Sequence, residues 1–519
     1  MDIVRKNTKN IMIVMVMMTM SRLLGFFREI ATANIFGRGM ATDAFFAAFT
    51  IPDMMYYLLI GGALSAAFIP VFTSYLAVED EQEAWKVAST FINIIIVLLF
   101  ILSIVGMVFA RQIVPLVAYG FKGEQLTLTA NLTRFMFPSV AFTALAGLTT
   151  GVLQSYKRFN ASTVGPILYN VGIILGAMLL GSIWGITGMA VGVLTGALTN
   201  FLYQFLFIRD KIVFYRPVFY FNHPGVKQIF LLMLPVVVGL SITQINLVIN
   251  QNLASGLMTG SITALRLANR LMQLPLGIFA MSISTVIFPT ITAQIAREEY
   301  ENFRISFSKA LSTIFYITIP SAVGLMVIGL PLIRVLFVHG AFKVQDATIT
   351  AQALFFYSFG LVAQAGIQLL TRGFYAKRDT STPVKIGVIT VIINIIVNLY
   401  LVKCTNLGVR GPALAYSFSS FIDMILLFIY LQKRMNGIHG KKILVSSMKA
   451  SIAAAVMGVV IYLSTHMLVK LHLFGGTFQD LITVVIGCIL GGSIYLGLTI
   501  LFRMEEVKSI FSLIKEKSK

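Results

Sequence analysis

Apolar runs of twenty to thirty residues recur along almost the whole chain, separated by short polar or basic breaks. About twenty apolar residues suffice for a helix to cross a bilayer core. Read as helices, the runs place spans at about 10–36, 43–76, 86–109, 126–155, 160–182, 185–208, 227–256, 260–292, 307–337, 347–375, 383–402, 407–432, 444–468 and 478–502. The pattern therefore predicts an all-α polytopic membrane protein of about fourteen transmembrane helices.

Three short patterns return at a nearly constant spacing. Phe68-Ile69-Pro70-Val71-Phe72-Thr73 closes the second span as Ile287-Phe288-Pro289-Thr290-Ile291-Thr292 closes the eighth. Gly185-Ile186-Thr187-Gly188 opens the sixth span and Gly408-Val409-Arg410-Gly411 the twelfth. Thr150-Gly151 with Lys157-Arg158 ends the fourth span, and Arg372-Gly373 with Lys377-Arg378 the tenth; the mid-span prolines Pro52 and Pro275 correspond as well. Six spans per repeat is an even number, so both copies enter from the same side, as in transporters built from parallel repeats. The expected organisation is an N-lobe over 1–222, a C-lobe over 223–435, and two extra helices with a tail over 436–519. The mid-span prolines are expected bend points.

Composition agrees with this reading, with 57% of residues hydrophobic and 12% charged. The net charge of +20 concentrates in alternate loops at Lys157, Arg158, Lys211, Arg216, Lys377, Arg378, Lys433, Arg434, Lys441 and Lys442, and in the tail at Lys515, Lys517 and Lys519. That asymmetry predicts both termini in the cytoplasm. It accounts for the charge by retention beside anionic lipid headgroups, and nucleic acid is not an expected partner. Ala31-Thr32-Ala33 mimics a signal cleavage site, but arginines interrupt the apolar run before it, so an uncleaved first span is expected. Cys404 and Cys488 are isolated, and the histidines lack metal-ligand spacing. No disulfide, metal or organic cofactor is expected.

The candidate chemistry lies in the few ionisable groups inside the spans. From the basic cluster Arg5, Lys6, Lys9 to Arg38 an unbroken helix would cover roughly 40 Å, which puts Arg22 near mid-bilayer and Arg28 in the outer half. A guanidinium at such depth costs about 2.5–3.5 kcal/mol, so it should face a wet cavity or an anionic partner. Arg266 and Arg270 are four apart and share a helical face. Arg270 lies roughly 15 Å in from the outer end by helical rise. Arg134 and Arg334 sit nearer the ends and read as snorkelling residues. The acids are few: Glu29 adjoins Arg28, Asp43 opens the second span where it also suits a helix cap, Asp53 follows Pro52, and Asp423 stands alone on the twelfth span. Asn246 with Asn250, and Asn394 with Asn398, are one turn apart; such amides usually bond neighbouring helices. The run Glu79-Asp80-Glu81-Gln82-Glu83 reads as a solvated loop.

The stretches Ser21-Arg22-Leu23-Leu24-Gly25-Phe26-Phe27-Arg28-Glu29, Gly39-Met40-Ala41-Thr42-Asp43-Ala44-Phe45-Phe46 and Gly62-Ala63-Leu64-Ser65-Ala66-Ala67-Phe68-Ile69-Pro70 resemble the N-terminal signature of MurJ (MviN) proteins. Asn269-Arg270-Leu271-Met272 with Pro275-Leu276-Gly277, His339-Gly340-Ala341-Phe342, and Gly373-Phe374-Tyr375-Ala376 followed by Asp379 and Thr382-Pro383 extend the resemblance over essentially the whole chain. It implies membership of the multidrug/oligosaccharidyl-lipid/polysaccharide (MOP) exporter superfamily and alternating access. The implied activity is flipping of lipid II, the undecaprenyl-pyrophosphate-linked peptidoglycan precursor, across the bacterial cytoplasmic membrane. It further implies that Arg22, Arg28 and Arg270 match essential cavity arginines, that Asp43 matches an acidic residue opening span two, and that the last two spans form a groove for the lipid tail.

The substrate-binding set is therefore Arg22, Arg28, Arg270, Arg266, Asp43 and Ser21, with Gly25, Glu29, Asn250, Asn394 and Asn398 as candidates for gating or a cation. Many members carry basic residues just after the span-two proline, where Tyr56 and Tyr57 stand here; Arg266, at a position commonly uncharged, reads as the replacement. Some members place carboxylates of a sodium site where this chain has Asn250 and Asn398, so coupling to a monovalent cation or to the membrane potential is left open. Lipid II and membrane lipids are the expected partners, and peptidoglycan synthases are candidates. The alternatives are a flippase for another polyprenyl-linked saccharide and a MATE-like drug or cation antiporter, which should show an acid-lined cavity. A membrane glycosyltransferase would need an external acidic cluster that the short outer loops lack, so no enzymatic activity is expected.

Overall fold

In lipid, backbone N–H and C=O groups have no water to bond, so an apolar run is driven to satisfy them within itself as a helix. The computed structural model describes residues 2–78, 81–471 and 475–507, and side chains over the same range except 2–13, 56, 59–63, 65 and 469–471. Glu79, Asp80, Lys515, Lys517 and Lys519 thus lie outside the described residues, as do the side chains of Arg5, Lys6, Lys9, Tyr56, Ala63 and Ser65.

In chain order the α-helices are α1 Asp2–Phe36, α2 Met40–Tyr56, α3 Ile69–Val78, α4 Glu81–Val108, α5 Ala110–Val117, α6 Gly123–Ser155, α7 Phe159–Leu175, α8 Gly181–Trp184, α9 Ile186–Leu206, α10 Pro224–Ser255, α11 Ser261–Pro275, α12 Met281–Ala296, α13 Tyr300–Phe337, α14 Val344–Ala376, α15 Ser381–Cys404, α16 Arg410–Arg434, α17 Gly440–Leu471 and α18 Gly476–Leu501. Among the described residues there is no strand. Twelve helical segments are long and apolar enough to cross a membrane. The first two expected spans are carried by α1 and by the continuous segment from α2 through α3.

Wider π-helical turns at Tyr57–Phe68, Gly176–Leu180 and Leu276–Ala280 join α2 to α3, α7 to α8 and α11 to α12. Two of the three follow the mid-span prolines Pro52 and Pro275. A proline removes one N–H and crowds the preceding turn, so the α ladder is interrupted shortly before each of these two wide turns.

The repeat seen in the sequence reappears in the backbone. Lys157 after α6 and Arg378 after α14 are left-handed at φ 59° and 58°. In both cases the following N–H reaches back to close the helix, Arg158 N to Leu153 O at 2.8 Å and Asp379 N to Phe374 O at 3.0 Å. Gly185 before α9 and Gly408 before α16 share a φ of 56°, a conformation only glycine adopts without strain. Close helix contact also depends on glycine: a Cβ on Gly172 of α7 would stand 2.5 Å from the Gly196 Cα of α9.

By packing, the chain divides into residues 1–263 with 340–342, and residues 264–339 with 343–519. This division by packing falls within the first turn of α11, and it groups α10 with the residues before it. The reason is polar: Thr50 Oγ1 donates to Gln251 Oε1 at 2.7 Å, and Asn252 Nδ2 donates to Pro115 O and Leu116 O at 2.9 and 2.8 Å, so α10 is fastened into the first unit. Residues 436–507 are likewise part of the second unit, where the Tyr495 hydroxyl of α18 donates to Tyr316 O of α13 at 2.7 Å.

Each unit has its own buried core. In the first, Phe68 stacks on Phe72 and Phe91, each 5.3 Å between ring centroids, with Trp85 edge-on to Phe72. The second centres on Phe303, Phe307, Phe374 and Leu431.

The described part of the acidic run, residues 81–83, is not a free loop but the first turn of α4. Glu81 takes Lys211 Nζ at 2.8 Å and the Tyr156 hydroxyl, while Glu83 takes Lys86 at 2.6 Å and His223 at 2.8 Å. These side chains pin the start of α4 to the ends of α6 and α10.

Candidate functional site

α1 carries its polar residues on more than one face. Arg22 is exposed, Ser21 and Arg28 are half-buried, and Gly25 and Glu29 are buried. Arg28 is held by three groups at once. Its Nη2 pairs with Glu29 Oε1 at 3.0 Å, its Nη1 donates to Asn170 Oδ1 at 3.3 Å, and its guanidinium lies 5.7 Å from the Phe49 ring centroid. Glu29 is 2% exposed, so the adjacent opposite charge offsets the burial of both groups. Asn170 of α7 is the residue that sequence reasoning missed here, since nothing in an isolated apolar helix marks which amide will meet an arginine far away in the chain.

Asp43 opens α2, yet it does not cap α2 with its side chain. Its Oδ2 accepts from Gly260 N at 2.6 Å, and its Oδ1 accepts from Thr263 N at 2.9 Å and Thr263 Oγ1 at 2.7 Å. The carboxylate thus sits at the N-terminus of α11, where free amides and the helix dipole favour an anion. Arg38 Nη1 donates to Thr259 O at 3.0 Å and steadies the same turn. Beside it, Ala341 N donates to Asn34 O at 2.7 Å, and a Cβ on Gly37 would stand 2.7 Å from Ala341 O. The His339-Gly340-Ala341-Phe342 motif therefore includes the piece of chain that closes over the end of α1.

The described part of α11 in the second unit is sharply divided. Ala264, Leu265, Leu267, Ala268, Leu271 and Met272 are buried. Arg266, Asn269 and Arg270 are half-buried and Gln273 is exposed. The spacing of these four polar residues makes one stripe along the helix, and Gln273 Nε2 donates to Asn269 Oδ1 at 2.6 Å within it. The expected face-sharing of Arg266 and Arg270 is present, with two amides that the site reading had not included.

Of the amides, Asn250 Nδ2 donates to Asn246 Oδ1 at 3.0 Å on α10. On α15, Asn394 and Asn398 are buried, and Asn394 Nδ2 donates to Ser419 Oγ of α16 at 3.0 Å while its Oδ1 has no hydrogen-bond partner. Asp423 lies one turn beyond Ser419 on α16, beside Thr390, which is one turn before Asn394 and donates its own hydroxyl to Gly387 O at 3.0 Å. A carboxylate therefore does stand at the end of this amide row. The row offers buried oxygen donors of the type that hard monovalent or divalent cations accept.

Arg334 and Arg134 have structural partners, Asp480 at 3.6 Å and the Asn131 side chain at 3.2 Å. In the loops, Arg158 grips exposed Asp210 through two nitrogens at 2.7 and 2.5 Å and holds its carboxyl below the usual carboxylate range. Burial works against the charged form of Asp379. The Thr382 hydroxyl and backbone, with Arg434 at 2.6 Å, outweigh it and hold that carboxyl low as well.

Twelve long apolar helical segments among the described residues, with proline-associated wide turns and guanidinium groups within the helices, define a transporter fold. That fold is shared with MOP-superfamily carriers: a solved inward-facing multidrug resistance MATE family transporter matches with a TM-score of 0.68 at 14% identity, over 82% of this chain and 98% of that one. A family model described as "Lipid II flippase MurJ" matches residues 32–482. A probable lipid II flippase MurJ of Vibrio cholerae is 32% identical over 431 residues, 81% of this chain and 82% of its own length. One from Buchnera aphidicola subsp. Acyrthosiphon pisum is 31% identical over 505 residues, 96% of each. A solved structure of lipid II flippase MurJ in an inward closed conformation matches with a TM-score of 0.78 at 28% identity, over 95% of this chain and 99% of that one. The chain belongs to the MurJ lipid II flippase family and is a multi-pass protein of the inner membrane.

Proposed function

We propose that this protein flips lipid II, carrying the undecaprenyl-pyrophosphate-linked precursor from the inner to the outer leaflet by alternating access, with both of its termini in the cytoplasm. Family membership supports the substrate. The observation that carries the binding site is the polar stripe of α11, where Arg266 and Arg270 stand with Asn269 and Gln273 on the face opposite the buried apolar one. Guanidinium groups suit a pyrophosphate because their planar fork makes paired, charge-assisted hydrogen bonds.

In this reading Arg270 and Arg266 bind the pyrophosphate, and Arg22, Ser21 and, through its pair with Glu29, Arg28 are substrate-binding residues as well. Arg22 is the exposed one of these three on α1, while Arg28 exchanges partners only if the pyrophosphate competes with Glu29. Asp43 holds the turn before α11. Substrate shifts the conformational equilibrium by binding one state better than the other. A monovalent cation on the Asn394, Asn398 and Asp423 row, with Asn250 on α10 as a separate candidate, or else the membrane potential, supplies the drive. Peptidoglycan synthases receive the product.

The test is complementation of a conditional flippase-depleted bacterium with a lipid II translocation readout. The wild-type chain restores translocation, and Arg270→Ala abolishes it at near-normal membrane levels, because removing a half-buried arginine relieves a desolvation cost. Normal translocation by Arg270→Ala removes the binding site; failure of the well-expressed wild type to move lipid II removes the substrate.

A further inference from the structure

The second unit contains an apolar cleft of about 720 Å³ that the transport reading does not use. Its floor is buried and comes from Phe315, Ile319 and Ala322 of α13 with Ser358 of α14. Its walls are α16 and α17, where Ile425 and Leu444 are 48% and 61% exposed. No residue of α18 lines it, so it is not a groove between the two last spans. The volume falls within the range of small-ligand sites, roughly 300–1,000 Å³.

Two features say what fills it. Along α17 the cleft runs from Gly440 to Ser451, and along α13 from Phe315 to Met326, which by helical rise is roughly 16 Å, the depth of one leaflet of the hydrocarbon core. A polyprenyl tail is several times longer than that and would overrun the cleft, whereas a phospholipid acyl chain ends where the cleft does. At the open end stands Lys441, which also lines an adjoining polar hollow with His439, Lys442, Lys449 and Arg503. The two acids of that hollow are engaged locally: Glu505 with Lys442 at 2.7 Å and Glu506 with Ser446 at 2.6 Å. Lys449 donates to Phe502 O at 3.1 Å. Lys441 and Arg503 make no ion pair among the described residues, so the mouth presents positive charge.

One polar atom inside the cleft is unexplained by the protein. Ser447 Oγ is buried and has no hydrogen-bond partner, a costly state in a native interior. It lies about 9 Å deeper than Lys441 by helical rise. A lipid phosphate held by the long, flexible lysine side chain leaves a glycerol ester below it, and an ester carbonyl there would satisfy the hydroxyl.

We propose that this cleft is a binding site for an anionic phospholipid, with one acyl chain between α13, α16 and α17, an ester carbonyl on Ser447 and the phosphate on Lys441. Basic pockets between membrane helices on the positively charged side recognise such headgroups. The inference requires only a membrane setting and is independent of the transported substrate.

The test is native mass spectrometry of the purified full chain titrated with dioleoyl phosphatidylglycerol or dioleoyl phosphatidylcholine. The expected result is a preference for phosphatidylglycerol of about fivefold or more, the factor that one lysine near an anionic surface supplies. Lys441→Glu brings the ratio to near one with an unchanged thermal midpoint, since the side chain is exposed. Ser447→Leu lowers retention of phosphatidylglycerol severalfold. If that variant is poorly folded, Lys441→Gln decides the matter by an intermediate ratio. Equal retention of the two lipids by the wild type, or an unchanged ratio in both Lys441 variants, overturns the site. Displacement of phosphatidylglycerol by undecaprenyl phosphate also overturns it and assigns the cleft to a polyprenyl chain.

Discussion

Replacing Asp43 by alanine removes one acceptor that serves three donors: Gly260 N at 2.6 Å, Thr263 N at 2.9 Å and Thr263 Oγ1 at 2.7 Å. The carboxylate is 2% exposed, so water cannot take its place without the turn opening. A hydrogen bond to a charged acceptor contributes roughly 1.5–3 kcal/mol, and each buried amide left unsatisfied costs about 1–3 kcal/mol. Against this stands the relief of no longer burying a charge, which offsets part of the sum and leaves a net loss of roughly 2–4 kcal/mol. At about 2–3 °C per kcal/mol for a unit of this size, the thermal midpoint falls by about 5–10 °C. The measurement is thermal unfolding of the purified protein in detergent, followed by intrinsic fluorescence, with lipid II translocation assayed in parallel. Asp43→Asn keeps the shape and one acceptor and should fall between wild type and Asp43→Ala. A midpoint for Asp43→Ala within about 1 °C of wild type, together with lost transport, would refute the reasoning. The carboxylate would then act on the substrate and not on the turn before α11.

Arg22→Lys should impair translocation strongly while leaving the thermal midpoint in place, because a point charge lacks the guanidinium fork; full activity would show that charge alone suffices. Cysteine labelling should find the loop from Lys433 to Lys442 cytoplasmic and that from His339 to Lys343 external, and external reactivity of the former would reverse the proposed orientation. Asp379 has its folded pKa below the unfolded value near 3.9, so its contribution is fully present above about pH 5 and is lost as pH falls through the lowered folded pKa. Asp379→Asn should therefore lower the thermal midpoint at pH 7, and the gap to wild type should close on acidification; a gap independent of pH would show that the ion pair with Arg434 contributes nothing.

Much of this protein was legible in local stretches of chain. The transfer of an apolar run from water to lipid depends on the run itself, so hydropathy alone located the spans, and the cost of an intramembrane guanidinium alone singled out Arg22, Arg28, Arg266 and Arg270. The repeat was equally local, since Gly185 and Gly408 need the same backbone conformation wherever they sit. Partners were a different matter. Asp43 looked like the cap of its own helix and instead serves the start of α11; Arg28 meets Asn170; and α10 packs with the first unit although the repeat places it in the second half. Each of these outcomes depends on how far a helix is rotated about its axis and on which residues distant in the chain it then meets. Hydropathy along a single span is almost unchanged by that rotation, whereas a misaligned Asp43 or Arg28 would be left buried without its partner, so only tertiary packing could decide it.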